Sequence, residues 1–329
     1  MYAVLILWAF VSSFLYADVT HKKLTFNELV GWKTATIKPV FKHYSSLIKA
    51  TTSHPAKNAS NKELKRWIEQ HFEPVMVSST THPVLITGYH IYNAPASRTK
   101  TLEYTIPLYQ HPKLKGIDHR VSYQQIMEGA LEYKGLEIAW LKHESDRYLL
   151  MMQGSGILSY EDGRTQSVVY AGGNGFKYRS ISDYMIEKGY ITEEERNGPT
   201  IKAFLTREPQ LATDILVQNP SFVFFEMQPD SVTFTGAAGS TLVARQSLAI
   251  DKQFYPQHSL LWVQTHIPNQ KGRAQKWTGL MVSQDTGGAI KGPQRADIYF
   301  GHLPEAENVA GFMKDSDAKL IYLKPKHYD

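Results

Sequence analysis

The densest concentration of chemically capable residues is Gln284 to Gly301 (QDTGGAIKGPQRADIYFG), where four glycines, two aspartates, Lys291 and Arg295 fall within eighteen residues. Asp285 stands before a Thr286-Gly287-Gly288 turn, where its carboxylate can accept local backbone N–H groups. Gly287 and Gly288 permit backbone angles that other residues resist, and they let a ligand or another chain approach closely. Asp297 opens an apolar, aromatic strand, and partial burial there would help it hold a proton near neutral pH. A carboxyl in that state can donate a proton to a bond under cleavage and later take one back. On residue pattern alone, an Asx turn followed by a strand-edge aspartate fits equally well.

Other chemistries find little support. The 13 histidines are scattered, with no His-x-x-x-His or His-Glu-x-x-His pair to hold a metal on a helix. The chain has no cysteine, which excludes disulfides, thiolate nucleophiles and Cys-ligated metals. There is no Walker loop, Gly154-Ser155-Gly156 lacks the pentapeptide of a nucleophile elbow, and Gly172-Gly173-Asn174-Gly175 fits no dinucleotide fingerprint. No metal or organic cofactor is therefore expected. A formal net charge of +5 over 329 residues favours an acidic polymer as partner and is too small to argue for nucleic acid.

The elements that must carry these residues read as follows. Ser60 and Glu63 make a capping box ahead of a helix to Phe72, with Leu64, Trp67, Ile68 and Phe72 on one face. Pro83 to Tyr92 is strand-like, and Pro107 and Pro112 punctuate a crossing between domains. Ser122 and Gln125 cap a second helix. Leu136 to Leu141, Tyr148 to Gln153 and Gln166 to Tyr170 read as short strands, with a turn at Glu161-Asp162-Gly163 between the last two. Ser182 to Lys188 is a helix stopped by Gly189, Thr192 and Glu195 cap the next, and Pro209 to Val217 forms another. From Phe222 the pattern changes to short strands with Gly and Pro between them: Phe222 to Met227, Leu260 to Ile267, Leu280 to Gln284, Asp297 to Phe300 and Lys319 to Leu323. That spacing suggests a small closed barrel.

The stretch from Gln284 to Gly301 resembles the 3D domain, named for its aspartates, as it stands in the membrane-bound lytic murein transglycosylase A family. Ile138 to Leu141 (IAWL), Gln153 to Gly156 (QGSG), Tyr170 to Ile181 (YAGGNGFKYRSI) and Asn219 to Phe225 (NPSFVFF) are similar to that family's other motifs, in its order. The resemblance covers roughly residues 85 to 325, and five ordered motifs together are far more specific than any one. It implies a mainly β protein with peripheral helices. A double-psi β-barrel domain (18–104 with 223–329) would be interrupted by an inserted β-rich domain (105–222), with a glycan groove between them.

The resemblance also implies an activity, β-1,4 cleavage of peptidoglycan between N-acetylmuramic acid and N-acetylglucosamine with formation of 1,6-anhydromuramoyl ends. The alternatives are a hydrolytic muramidase and a non-catalytic peptidoglycan-binding relative. The family's catalytic aspartate falls on Asp297, and its supporting turn on Asp285, Thr286, Gly287 and Gly288. Gln153, Gly154, Ser155, Tyr170, Asn174, Tyr178, Tyr89 and Tyr299 are the candidates for sugar contact, with core packing equally open for each tyrosine. The chain departs from the family where Tyr89-His90-Ile91-Tyr92 lacks the usual Glu, and where Gln257-His258 replaces a small residue. Implied partners are peptidoglycan glycan strands and other cell-wall enzymes. Residues 1–17 read as a secretory signal peptide leading to the periplasm, peripheral to the outer membrane or cell wall. The lipid-attachment cysteine of the family's namesake has no counterpart here.

Overall fold

The computed structural model describes residues 18–47, 55, 58–229 and 234–326, so the expected signal peptide lies outside the described residues. The chain divides into two compact units, one of residues 1–88, 234–301 and 313–329 and one of residues 89–233 and 302–312. These divisions differ from the expected ones at 104/105 and 222/223. Pro107, read as the crossing, lies inside a strand of the second unit, and residues 302–312 return to that unit as a helix.

The first unit begins with β1 (Val19–Lys23), α1 (Lys38–Leu47), α2 (Asn61–His71), β2 (Phe72–Ser79) and β3 (Leu85–Tyr89). Helix α2 starts where the capping box predicts: Glu63 N–H donates to Ser60 Oγ at 3.3 Å and Ser60 N–H to Glu63 Oε2 at 2.7 Å. Val40, Phe41 and Tyr44 of α1 and Leu64 and Ile68 of α2 are buried against sheet residues that include Trp262, Leu280 and Val282. Trp32 meets Trp262 edge-on at 5.2 Å between ring centroids.

In the second unit the chain forms β4 (Tyr92–Ser97), β5 (Ile106–Tyr109), α3 (Tyr123–Met127), β6 (Glu137–Leu141), α4 (Glu144–Gln153), β7 (Ser155–Tyr160) and β8 (Thr165–Gly173). Three helices follow, α5 (Ile181–Glu187), α6 (Gly198–Arg207) and α7 (Pro209–Leu216), before β9 (Val223–Met227). The six strands order as β5-β6-β4-β7-β8-β9. Tyr148 to Gln153, read as a strand, is instead the last part of α4. This helix is buried on nearly every side, so its run Tyr148-Leu149-Leu150-Met151 shows no apolar stripe from which a helical period could be read. The strand lies just after it, at Ser155–Tyr160. Thr192 and Glu195 do exchange capping hydrogen bonds, but the helix starts later, at Gly198 after an Asn197 cap.

Back in the first unit come β10 (Ser247–Ile250), β11 (Leu260–Pro268), β12 (Ala274–Asp285) and β13 (Arg295–Tyr299). Helix α8 (Pro304–Phe312) rejoins the second unit, and β14 (Lys314–Asp315) and β15 (Lys319–Pro325) complete the first. The nine strands order as β1-β2-β15-β11-β12-β10-β13-β3-β14, so segments on either side of the second unit in the sequence build one sheet. The two sheets make the protein mainly β.

Candidate active site

Strand β13 alternates in burial. Ala296 and Ile298 are buried, while Arg295 and Asp297 share the other, half-buried face. The sheet register sets Asp297 among neighbours. Ala249 of β10 lies opposite Asp297 on one side and opposite Asp285 of the parallel strand β12 on the other. Directly opposite residues share a face of a sheet, and two strand spacings separate the aspartate backbones by roughly 10 Å. On the far side of β13, Thr87 of β3 lies opposite Lys314 of β14. One row across β12, β10 and β13 therefore holds Asp285, Ala249 and Asp297, and Thr87, on the neighbouring strand β3, reaches Asp297 through its hydroxyl.

The two aspartates are used differently. Asp285 Oδ1 accepts the N–H groups of Ala237 and Thr286, both at 2.9 Å. The carboxylate thus accepts a local N–H as the sequence suggests, from the very next residue and without the two-residue reach of an Asx turn, and it adds a second loop through Ala237. The turn that follows is narrowed by Ile290 N–H donating to Gly287 O at 3.0 Å. Neither Gly287 nor Gly288 has a positive φ. The segment's left-handed glycines are Gly292 and Gly301, and a side chain at Gly292 would strike His82. The freedom expected at 287 and 288 is instead used at Gly292, three residues before β13 begins at Arg295.

Asp297 accepts two donors on the same oxygen, Oδ1: the Thr87 hydroxyl and the Arg295 guanidinium. Among the described residues, Oδ2 has no partner. The Asp297 side chain is 21% exposed and that of Arg295 12%. The apolar composition of the strand gives no hint of the cation that stands beside the carboxyl. Arg295 and Thr87 were not singled out, although the i, i+2 spacing of Arg295 and Asp297 on a strand is a usable signal.

In the second unit, Gln153, Gly154 and Ser155 form the link from α4 to β7. Gly154 closes the helix at φ 74°, with its N–H on Leu150 O. Gln153 Oε1 accepts the N–H of His90 at 3.1 Å, and Ser155 lies opposite Val169, the residue before Tyr170. Tyr170 is 57% exposed and Tyr178 47%, and the Tyr178 hydroxyl bonds to that of Tyr148 on α4. Tyr89 ends β3, half-buried.

Two candidates serve the architecture instead. Asn174 is fully buried and saturated by main chain: Nδ2 donates to Val121 O and Pro220 O, both at 2.8 Å, and Oδ1 accepts Phe222 N–H at 2.9 Å and Phe176 N–H at 3.3 Å. An amide makes about four such bonds, so none remains for a sugar. Tyr299 is 3% exposed, and burial pushes its hydroxyl up to about 12. Its ring packs in the core. Among the described residues, no group of three or more His, Asp or Glu side chains has the geometry to hold a metal.

This architecture matches known proteins throughout. The MltA-specific insert domain matches residues 85–226 and the 3D domain residues 246–324. Membrane-bound lytic murein transglycosylase A of Escherichia coli (strain K12) is 35% identical over 233 residues, which are 70% of this chain and 62% of that protein. The protein of the same name from Vibrio cholerae is 31% identical over 239 residues, 70% of this chain and 63% of that protein. The chain thus spans somewhat less than two thirds of the length of these curated relatives. Among solved structures, E. coli MltA with bound chitohexaose has a TM-score of 0.71 at 26% identity, covering 92% of this chain and 86% of that one. A membrane-bound lytic murein transglycosylase from Agrobacterium tumefaciens reaches 0.79 at 22% identity, covering 93% and 98%, a likeness of fold. With both domains present in order and these relatives beside it, the chain belongs to the membrane-bound lytic murein transglycosylase A family.

Proposed function

We propose that this protein is a lytic transglycosylase acting on peptidoglycan, with Asp297 as its one catalytic acid and base. The carboxyl gives its proton to the glycosidic oxygen between N-acetylmuramic acid and N-acetylglucosamine, and the C1–O bond breaks. The C6 hydroxyl of the same muramoyl ring attacks C1, its proton passes to Asp297, and a 1,6-anhydro ring closes. No water is consumed, and the carboxyl ends as it began. Ordinary glycosidases require a second carboxylate to act as nucleophile or to activate water. Here the nucleophile belongs to the substrate, so one group serves twice.

The observation that carries this reading is the state of Asp297: one oxygen held by Thr87 and Arg295, the other without a protein partner among the described residues. Asp285, with its oxygen committed to two backbone N–H groups, suits a positioning role for the turn better than a second acid. Tyr170 and Tyr178 offer half-exposed aromatic faces to pyranose rings, and Gln153 and Ser155 offer polar groups to sugar hydroxyls and acetamido groups. A relative with bound chitohexaose supports a linear amino-sugar polymer as the ligand. Peptidoglycan implies an exported protein acting in the periplasm. No helix among the described residues is long and apolar enough to cross a membrane.

Mass spectrometry of purified sacculi digested by the full chain tests the assignment. Anhydromuramoyl ends from the wild type and none from Asp297→Ala are expected. Reducing muramic-acid ends would instead make the protein a muramidase, and an Asp297→Ala variant as active as wild type would remove Asp297 from the chemistry.

A further inference from the structure

We propose that Arg295 is a positioning residue for Asp297. It fixes which carboxyl oxygen reacts, and it neutralises the carboxylate that exists between the two proton transfers. This rests on the reading of Asp297 as acid and base. The two residues stand at i and i+2 of β13, so strand geometry alone brings them to the same face. The guanidinium is itself oriented: Nη1, which meets Asp297 Oδ1, also donates to the Ala296 carbonyl at 2.8 Å, and only 12% of the side chain is exposed. Thr87, on the neighbouring strand, donates its hydroxyl to the same Oδ1.

Both donors engage one oxygen, and that asymmetry is the core of the inference. An acid–base carboxyl needs one oxygen able to carry a proton to the substrate and to receive one from it. With Oδ1 occupied by Thr87 and Arg295, Oδ2 is left for the reacting proton. When Oδ2 gives that proton to the leaving oxygen, the negative charge formed is shared with Oδ1, where Arg295 already stands. No donor has to move during the reaction. The register places Asp285 of β12 and Ala249 of β10 in the row of Asp297, and Thr87 and Lys314 lie opposite each other on β3 and β14. Asp285 opposes a charge on Asp297, and among the described residues Arg295 is the cation that touches it.

The arrangement carries a cost that sharpens the test. A guanidinium that stabilises the carboxylate also opposes the starting proton, so Arg295 sets the pH range over which the acid form is available. The experiment compares wild type, Arg295→Met, Arg295→Lys and Thr87→Val by quantifying anhydromuropeptides released from sacculi across a pH series, with thermal unfolding measured alongside. Arg295→Met is expected to reduce turnover by about 10-fold to 100-fold, less than loss of the acid itself. The falling alkaline side of its pH–rate profile should move to higher pH, because the charged form has lost its counter-ion. Arg295→Lys should restore part of the rate and return the profile toward wild type, since a point charge replaces the fork. Thr87→Val, which keeps the cation, should move the profile in the same direction by less, and it supplies the answer should Arg295→Met fail to fold.

A uniform loss of rate with an unmoved profile in the folded variants would overturn the proposal, as would unchanged kinetics. The underlying reading fails separately: wild type would then release no anhydromuramoyl ends, or Asp297→Ala would keep its activity.

Discussion

The glycine-rich loop of the second unit and the aspartate row of the first treat polar side chains in opposite ways. At the loop, Asn174 is buried, and every hydrogen-bonding site of its amide is spent on main chain between Val121 and Phe222. In the row, Asp297 lies on an outward strand face, with both of its donors on one oxygen. A buried polar group must be satisfied or it destabilises the fold, and satisfaction removes its capacity for a ligand. A reacting group needs the reverse, support on one side and capacity on the other. Residue type distinguishes these two cases poorly. Their surroundings distinguish them well.

Substitution at the two sites should therefore separate activity from stability. Asp297→Asn keeps the shape and an acceptor oxygen but cannot transfer a proton. Turnover should fall on the order of 10²-fold to 10⁴-fold while stability changes by no more than about 1 kcal/mol. Asn174→Ala should do the converse. It leaves buried carbonyls and N–H groups without partners and should lower stability by about 3 kcal/mol or more in urea denaturation. If Asn174→Ala unfolded at the wild-type midpoint yet bound glycan poorly, the side chain would be a sugar ligand after all and the contrast would dissolve.

A third case lies beside Gln153. His90 is buried, and neither ring nitrogen has a protein partner among the described residues. Burial pushes the imidazole down to about 4, with Lys202 acting in the same direction and Glu307 against both. The unfolded chain binds a proton near the ordinary 6.5, which the folded chain refuses until about 4. The stability contributed is therefore complete above 6.5, and it is lost as pH falls through that window, by up to roughly 3 kcal/mol in total. As pH falls from 7 to 5 the urea midpoint of wild type should fall more steeply than that of His90→Phe, which has no proton to take up at this position. Equal slopes for the two between pH 7 and 5 would remove His90 from this role.

What the sequence disclosed follows the same division. Ser60 with Glu63 and Ser122 with Gln125 mark their helix starts because capping is local. The acceptance of a neighbouring N–H by Asp285 and the strand at Asp297 are local too, and both are legible in the sequence. The end of helix α4 reads as a strand because burial on nearly every side removes the periodicity that distinguishes the two. The saturation of Asn174 depends on carbonyls at Val121 and Pro220, and the hold on Asp297 depends on Thr87, 210 positions earlier. Pairings of such separation leave no trace in spacing. Arg295 was within reach, two residues away, and only the alternation of β13 needed to be applied to it.

The smallest effect is the most discriminating at the end of a single strand, β8. Tyr170 and Asn174 are four residues apart, but the register of β8 shifts between Tyr170 and Gly172. At Gly172, with φ +140°, a side chain would collide with the His111 ring. The irregularity leaves Tyr170 57% exposed while Asn174 is fully buried. Tyr170→Ala should therefore change stability by about 0.5 kcal/mol or less, as an exposed site does. If its ring supports a pyranose, removing it should raise KM for glycan strands by about 3-fold to 10-fold, with kcat nearly unchanged, the signature of binding shared by ground and transition states. Steady-state kinetics on soluble glycan chains reads this directly. A loss of stability comparable to that of Asn174→Ala would mean that the strand end packs as one unit and that exposure of the tyrosine does not mark a binding face. An unchanged KM would leave Tyr178 and Gln153 to carry the sugar contacts of this unit.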